Sequence, residues 1–489
     1  MKYYRPFFNR TSIVLYTTCW LLSACSDDAA KFGGEYKKYQ GIWQSDAYGQ
    51  VMQIAGDTII NYQNTFDQCI RVSTQNNVTL QQFEQRFSFK GEQLFAFNYP
   101  QVKDVDESGV TMQPVKALPY SCKSNLIAIK GDKNYQQDAE RDARFWFDDF
   151  SEHYVDFELS ATDWQLTQQH ILSQINPQTS DSEFFEFLAV AMAGLKNGHL
   201  GLYDGSITYQ VKRADKPDLF EKLSQEYLQE VDLQPPLTEE QKQQQAQYVA
   251  DNLALIEGII GYYSNDMSQI KTAAQGNLVW FKTADLAYLN IMGLSEFASA
   301  SDLSTQLSVA DTALKEVIES MQDTSGMIID LRFNGGGYPF LAKKIAGYFT
   351  DVSYVAYTEQ TKGLGGFSDK VEVNVEPQAL YYEKPIVVLV SNTTASAAEL
   401  LALMLRARGN VTFIGEPTQG MLSGSLGRTL PNGWLYSVSN LKRLTPDGDW
   451  FEYSGIPVSR QTTFFSKEER AGFYDQAIDA ARLSLTRNL

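Results

Sequence analysis

Three periodicities follow one another along the chain. Between about residues 41 and 130, apolar and polar positions alternate in short runs such as Val51-Met-Gln-Ile54 and Arg86-Phe-Ser-Phe89. Gly, Asn and Asp separate the runs, a pattern that predicts a small β domain over 39–132. The period then lengthens to that of a helix. Phe145, Phe147 and Phe150 mark one segment, and a second runs from Trp164 to Ile175. A third places Phe184, Phe187, Leu188, Ala191 and Leu195 on one face. A helical subdomain over 133–205 is therefore expected, closing on the glycine-punctuated turn Gly194-Leu-Lys-Asn-Gly-His199-Leu-Gly-Leu202. Residues 206–275 are polar and glutamine-rich. Thr238 and Gln241 have capping-box spacing, so the segment reads as a solvated helical insert without functional signal. From 276 to 489 strands and helices alternate: Ala287–Met292, a helix over about 301–321, strand 326–332, helix Phe340–Phe349, strand Ile386–Val390 and its following helix. This order argues for an α/β domain with a buried sheet, closed by an amphipathic helix from Glu468 to Leu485.

The strand Ile386–Val390 delivers one conspicuous residue. A short polar turn leads from it to Ser396, at the start of a helix apolar at Leu400, Leu401, Met404 and Leu405 and stopped by Gly409. Unpaired N–H groups and the positive end of the helix dipole stabilise negative charge there, which suits an acyl-transfer nucleophile. Serine is equally a favoured helix cap, so this segment alone leaves both readings open.

The N-terminus has the features of an export signal. Lys2, Arg5 and Arg10 precede the apolar run 13–22, which is too short to span a bilayer, and Leu22-Ser23-Ala24-Cys25 resembles the lipobox of bacterial lipoproteins. That resemblance implies a signal peptide over 1–24, lipidation of Cys25 and a tether over 25–38. It places the chain in the bacterial cell envelope, on the outer membrane facing the periplasm. Cys69 and Cys122 remain as an even pair in an oxidising compartment, and a disulfide between them is expected. The net charge of −18 becomes more negative once residues 1–24 are removed, which argues against nucleic-acid binding. With three histidines and no Cys/His cluster, neither a metal site nor a cofactor is expected.

The second chemical motif is Asp330-Leu-Arg-Phe-Asn-Gly-Gly-Gly337. Its glycines allow a backbone turn that can cradle an anion, while the missing Gly-Lys-Ser/Thr ending disfavours a nucleotide P-loop. This motif is followed by Thr394-Ala-Ser-Ala-Ala-Glu399, Ile414-Gly-Glu-Pro-Thr-Gln-Gly420, Thr445-Pro-Asp-Gly448 and Trp450-Phe-Glu-Tyr-Ser-Gly-Ile456. Together they resemble the tail-specific (C-terminal processing) serine protease family over roughly residues 140–485.

The resemblance implies a crotonase/ClpP-like catalytic core, a peptide or protein substrate, Ser396 as nucleophile, and an oxyanion hole from Ala397 and the turn Gly336–Gly337. Where the processing branch carries its basic lysine, this chain has Met421, which cannot accept a proton. The tricorn-core and retinoid-binding branch instead implies His199 as base and Glu452 as its support. In that branch a serine precedes the histidine, whereas here the residue is Gly198. What orients His199 therefore stays open between Glu452, Asn197 and a water. Asp330, Arg332 and Glu399 are expected as framework. The rival reading is a catalytically inactive protein binding a peptide or hydrophobic ligand on the same fold. A third, a crotonase-type thioester enzyme, fits poorly with export. Oligomeric state is not legible.

Overall fold

The computed structural model describes residues 34–284 and 287–487. The expected signal over 1–24 and the lipidation site Cys25 lie outside the described residues. The last part of the expected tether is a 3-10 helix, Gly34–Tyr39, rather than a free linker. It packs on the β domain, where Tyr39 stacks on Phe83 at 5.0 Å and its carbonyl accepts from Trp43 Nε1 at 2.8 Å.

Strands Gly41–Ser45, Gln50–Ala55, Thr58–Asn64 and Cys69–Gln75 form an antiparallel meander, because tight turns join half-buried alternating segments. Phe87–Lys90, Gln93–Phe97 and Gly109–Val115 extend it on one side and the short Leu126–Ile127 on the other, giving eight strands. The Cys69–Cys122 disulfide pins helix Tyr120–Ser124 to the sheet. Helices Ala139–His153, Trp164–Leu172 and Asp181–Ala193 bury Phe145, Trp146, Phe150 and Leu188. The cover on this cluster is a four-stranded sheet that includes Gly201–Tyr203 and Leu435–Val438.

A seven-stranded sheet forms the centre, in the order Lys271–Ala273, Leu278–Lys282, Ala287–Ile291, Met327–Asp330, Ile386–Val390, Val411–Gly415, Arg460–Gln461. From Ala287–Ile291 onward every neighbouring pair is parallel. A parallel sheet needs cover on both faces, and the side chains divide accordingly. Leu289, Ile329 and Val388 join one cluster with helices Leu303–Met321, Pro339–Ala346 and Ala397–Arg408. Tyr288, Ile328, Val387 and Leu389 join another with helices Glu239–Tyr262 and Gln476–Arg487.

The segment 206–275 is thus not a solvated insert. Its two helices, Leu219–Glu230 and Glu239–Tyr262, form where expected, but Leu219, Leu223, Ile256 and Ile259 are buried against the central sheet. Its last residues, Lys271–Ala273, are the first strand of that sheet.

The β domain is fastened to the remainder by buried polar groups. Arg428 donates to Asp149 at 2.6 and 3.0 Å and to the Gly49 carbonyl at 3.3 Å, while Gln63 Nε2 donates to Tyr436 Oη at 3.1 Å. Gly49, at φ 51°, is the residue that permits this approach. A Cβ there would lie 2.6 Å from Arg428 Nη2.

Candidate active site

Two turns at the ends of central strands meet. Thr394 Oγ1 donates to the Leu331 carbonyl at 2.8 Å, Ser391 Oγ to that of Arg332 at 2.7 Å, and the Ala395 N–H to that of Asn334 at 3.1 Å. These bonds hold the turn before Ser396 against the glycine turn after Asp330. The strand under that turn is braced by buried Arg332, paired with Asp330 and Asp475 at 2.6 and 2.7 Å. Gly336, at φ 108°, abuts the serine so closely that a Cβ would lie 2.8 Å from Ser396 Cβ and 3.1 Å from the Ala397 nitrogen. Gly337, at φ 138°, leaves no room for one against the Leu294 carbonyl. Among the described residues, no acceptor takes the N–H of Ala397 or of Gly337, whereas that of Gly336, also expected in the oxyanion hole, donates to Asn334 Oδ1 at 2.9 Å.

Ser396 occupies the N-cap position of helix Ala397–Arg408 with φ 55° and ψ −125°, a conformation that costs a non-glycine residue about 1–3 kcal/mol. Its backbone is held in place from both sides. Its N–H donates to Glu399 Oε2 at 3.0 Å, and its carbonyl accepts from the Glu399 N–H at 2.9 Å. Its hydroxyl lies 3.0 Å from His199 Nε2. Serine and histidine, 197 positions apart in the chain, are therefore within proton-transfer distance.

The imidazole is half-buried, and burial, with the Arg443 charge second, pulls its pKa down to about 4. A hydrogen bond with the Ser423 backbone opposes the shift. Glu452, expected beside His199, makes no hydrogen bond to it among the described residues. Its Oε2 accepts from the N–H groups of Leu422 and Ser423 at 2.9 and 2.7 Å, and its Oε1 from Asn197 Nδ2 at 3.2 Å. The physical reason is that a buried carboxylate needs several donors, and the backbone of the 421–423 loop supplies them. Asn197 Oδ1 accepts the His199 backbone N–H at 2.9 Å.

Gly198 and Met421 explain each other. A Cβ on Gly198 would lie 2.6 Å from Met421 Sδ and 2.8 Å from its Cε, so the methionine fills the space that a side chain at 198 would need.

The 418–423 loop runs between two buried carboxyl groups. Glu399 takes Thr418 Oγ1 at 2.6 Å and the N–H groups of Gly420 and Met421 at 2.7 and 2.8 Å. Glu452 takes the next two N–H groups, so one carboxylate faces the serine and the other faces Asn197. Burial raises the pKa of both, and of Asp156, whose Oδ2 accepts from Asn197 Nδ2 at 2.6 Å and which is pushed up to about 7. The motif around Glu399 identified it only as framework. Asp156, Ser423 and Arg443 gave no local signal, because their roles exist only once distant loops meet.

Residues 285–458 match the family described as Peptidase family S41. The chain is 32% identical over 158 residues to the carboxy-terminal processing protease CtpA of Bacillus subtilis, covering 30% of this chain and 32% of that protein. It is 32% identical over 165 residues to the chloroplastic carboxyl-terminal-processing peptidase 2 of Arabidopsis thaliana, covering 33% and 31%. The chain thus spans about a third of the length of these curated relatives. Among solved structures, one from Parabacteroides merdae is similar in fold, with 19% identity, a TM-score of 0.55, and coverage of 72% of this chain and 97% of that one. Mature CPAF in its lactacystin complex is similar too, with 12% identity, a TM-score of 0.51, and coverage of 72% and 99%.

Proposed function

We propose, on the premise that the chain belongs to peptidase family S41 through residues 285–458, that it is a serine peptidase acting through Ser396 and His199. The observation that carries this reading is the 3.0 Å approach of Ser396 Oγ to His199 Nε2 at a helix N-terminus. A hydroxyl is a poor nucleophile until a base takes its proton. With its pKa near 4, His199 is neutral at ordinary pH and can accept that proton at Nε2. Oγ bonds to the scissile carbonyl carbon, and the carbonyl oxygen takes up the negative charge. The N–H groups of Ala397 and Gly337 are the donors for it, each worth about 3–4 kcal/mol in such a role. Collapse of the tetrahedral species breaks the C–N bond, and the imidazolium returns its proton to the leaving amine. Water then attacks the acyl-enzyme with His199 again as base.

One observation favours the rival, an inactive binder of peptides or hydrophobic ligands: burial and the Arg443 charge pull the His199 pKa down to about 4, which makes the imidazole a weak base. Lipid anchoring at Cys25, on the periplasmic side of the outer membrane, belongs to the proposal as well and is supported by the lipobox-like Leu22–Cys25. Hydrolysis of fluorescently labelled casein tests the catalytic reading. Wild type should release peptides, Ser396→Ala should fall to background, and His199→Ala should lose about a hundredfold or more. A folded wild type that cuts nothing sinks it in favour of the binder, and Ser396→Ala with unchanged turnover removes Ser396 as the nucleophile.

A further inference from the structure

The 418–423 loop and the loop carrying Glu452 are interlocked. Tyr453 N–H donates to the Gly420 carbonyl at 3.0 Å, and Gly420, at φ 81°, leaves no room for a Cβ against Tyr453. In the first of these loops the N–H groups of 420–423 go to Glu399 and Glu452, as described above. Carbonyl oxygens of both loops, those of Thr418, Gln419, Tyr453 and Ser454, take donors from the segment 206–275. Arg213, buried, donates through Nη1 to the carbonyls of Gln419 at 3.2 Å and Tyr453 at 2.8 Å, with its guanidinium over the Tyr453 ring. Asp215 holds its other edge at 2.7 and 3.2 Å. Lys216 Nζ donates to the carbonyls of Thr418 at 2.8 Å and Ser454 at 2.7 Å, and more distantly to that of Gln419. Gly455, at φ 76°, permits the contact, since a Cβ there would lie 2.9 Å from Lys216 Nζ.

We infer that Arg213 and Lys216 are positioning residues for the Ser396–His199 pair, a cationic clamp that holds the two loops together by their carbonyls. Burial and the Arg213 charge pull the Lys216 pKa down to about 8, and Glu399, Asp215 and Glu452 oppose that shift, so the acidic groups favour the charged form of Lys216. The chain of contacts then runs unbroken. Ser396 N–H is held by Glu399, Glu399 by the 418–421 backbone, and that backbone by Lys216 and Arg213. Glu452 connects the other side to Asn197, and Asn197 to His199. Displacing either loop moves the base relative to the nucleophile, and misplacement by about 1 Å costs about a hundredfold in rate. Neither cation touches the reacting atoms, so neither is catalytic.

The inference rests on the Ser396–His199 reading, and its test separates the two. Two readouts are taken on Lys216→Met: the second-order rate of labelling by a fluorophosphonate, and the NMR titration midpoint of His199 Cε1–H, assigned by its loss in His199→Asn. Labelling should slow by about a hundredfold. The His199 midpoint should rise from about 4 toward about 6.5, because water entering a loosened site relieves the burial that depresses it. Lys216→Arg, which keeps a cation on the carbonyls, should hold both readouts near wild type. If Lys216→Met does not fold, Lys216→Gln replaces it. A folded variant with wild-type labelling and a wild-type midpoint overturns the inference, and so does a loss that Lys216→Arg fails to rescue. An unlabelled wild type whose His199 midpoint still moves in Lys216→Met removes the nucleophile assignment and leaves the clamp standing.

Discussion

His199 is held at its backbone. Asn197 Oδ1 fixes its N–H, Ser437 Oγ donates to its carbonyl at 2.6 Å, and Nε2 faces the serine. A ring in that setting resists protonation, since burial and the Arg443 charge both disfavour the imidazolium. The consequence for pH is directional. The neutral ring is the competent form, so peptidase activity should hold as pH is lowered through 6.5 and fall only near pH 4. A pH profile of kcat/KM checks this, and a half-maximum near 6.5 would contradict the lowered pKa. The same shift acts on stability. Between about pH 6.5 and 4 the unfolded chain binds a proton at this position that the folded chain does not, so this group withdraws stability as pH falls through that window.

At the scale of elements, the site is a meeting of loops whose side chains fit one another. The 194–200 turn meets the 418–423 loop through Gly198 and Met421, and no Cβ at 198 is compatible with the methionine where it lies. The backbone at 198 is not in the left-handed region, so only packing excludes a larger residue. Gly198→Ser should therefore destabilise the protein by about 1 kcal/mol, the low end of overpacking, because the flexible tip of Met421 can give way. Met421→Ala in the same chain should recover most of that loss. Chemical denaturation of the two single variants and the double variant measures the coupling, and additive effects would contradict the contact. Local sequence carried part of this picture. Met421 excluded a lysine base on chemical grounds, and the spacing of Asn197-Gly-His199 marked a turn. Arg213 and Lys216 were invisible in a segment that reads as solvated polar chain, because a cation's importance there depends on which carbonyls the fold brings to it.

The whole molecule is organised around the sheet whose buried strands end at the two meeting turns. Those strands were the most legible feature of the chain. Ile386–Val390 and Met327–Asp330 are apolar or nearly so because helices cover both faces. The edge strands Lys271–Ala273 and Arg460–Gln461 were not legible. They are two or three mostly polar residues long, and pairing with a neighbour, such as Ile414 with Arg460, defines them rather than any pattern of their own. The β domain was read as a separate unit. Its docking through Gly49 and Gln63 onto Arg428 and Tyr436 depends on partners more than 350 positions away, and no local window contains them. Those partners stand on strands Leu426–Thr429 and Leu435–Val438, and Leu435–Val438 pairs with Gly201–Tyr203 just after His199, so the domain braces the histidine side of the site. Mass-spectrometric mapping of a fluorophosphonate adduct on the intact, folded protein at pH 7 decides whether Ser396 is the nucleophile. One adduct is expected, on the peptide containing Ser396, absent in Ser396→Ala and strongly slowed in His199→Ala. A folded wild type without an adduct, or an adduct that persists in Ser396→Ala, would contradict that assignment.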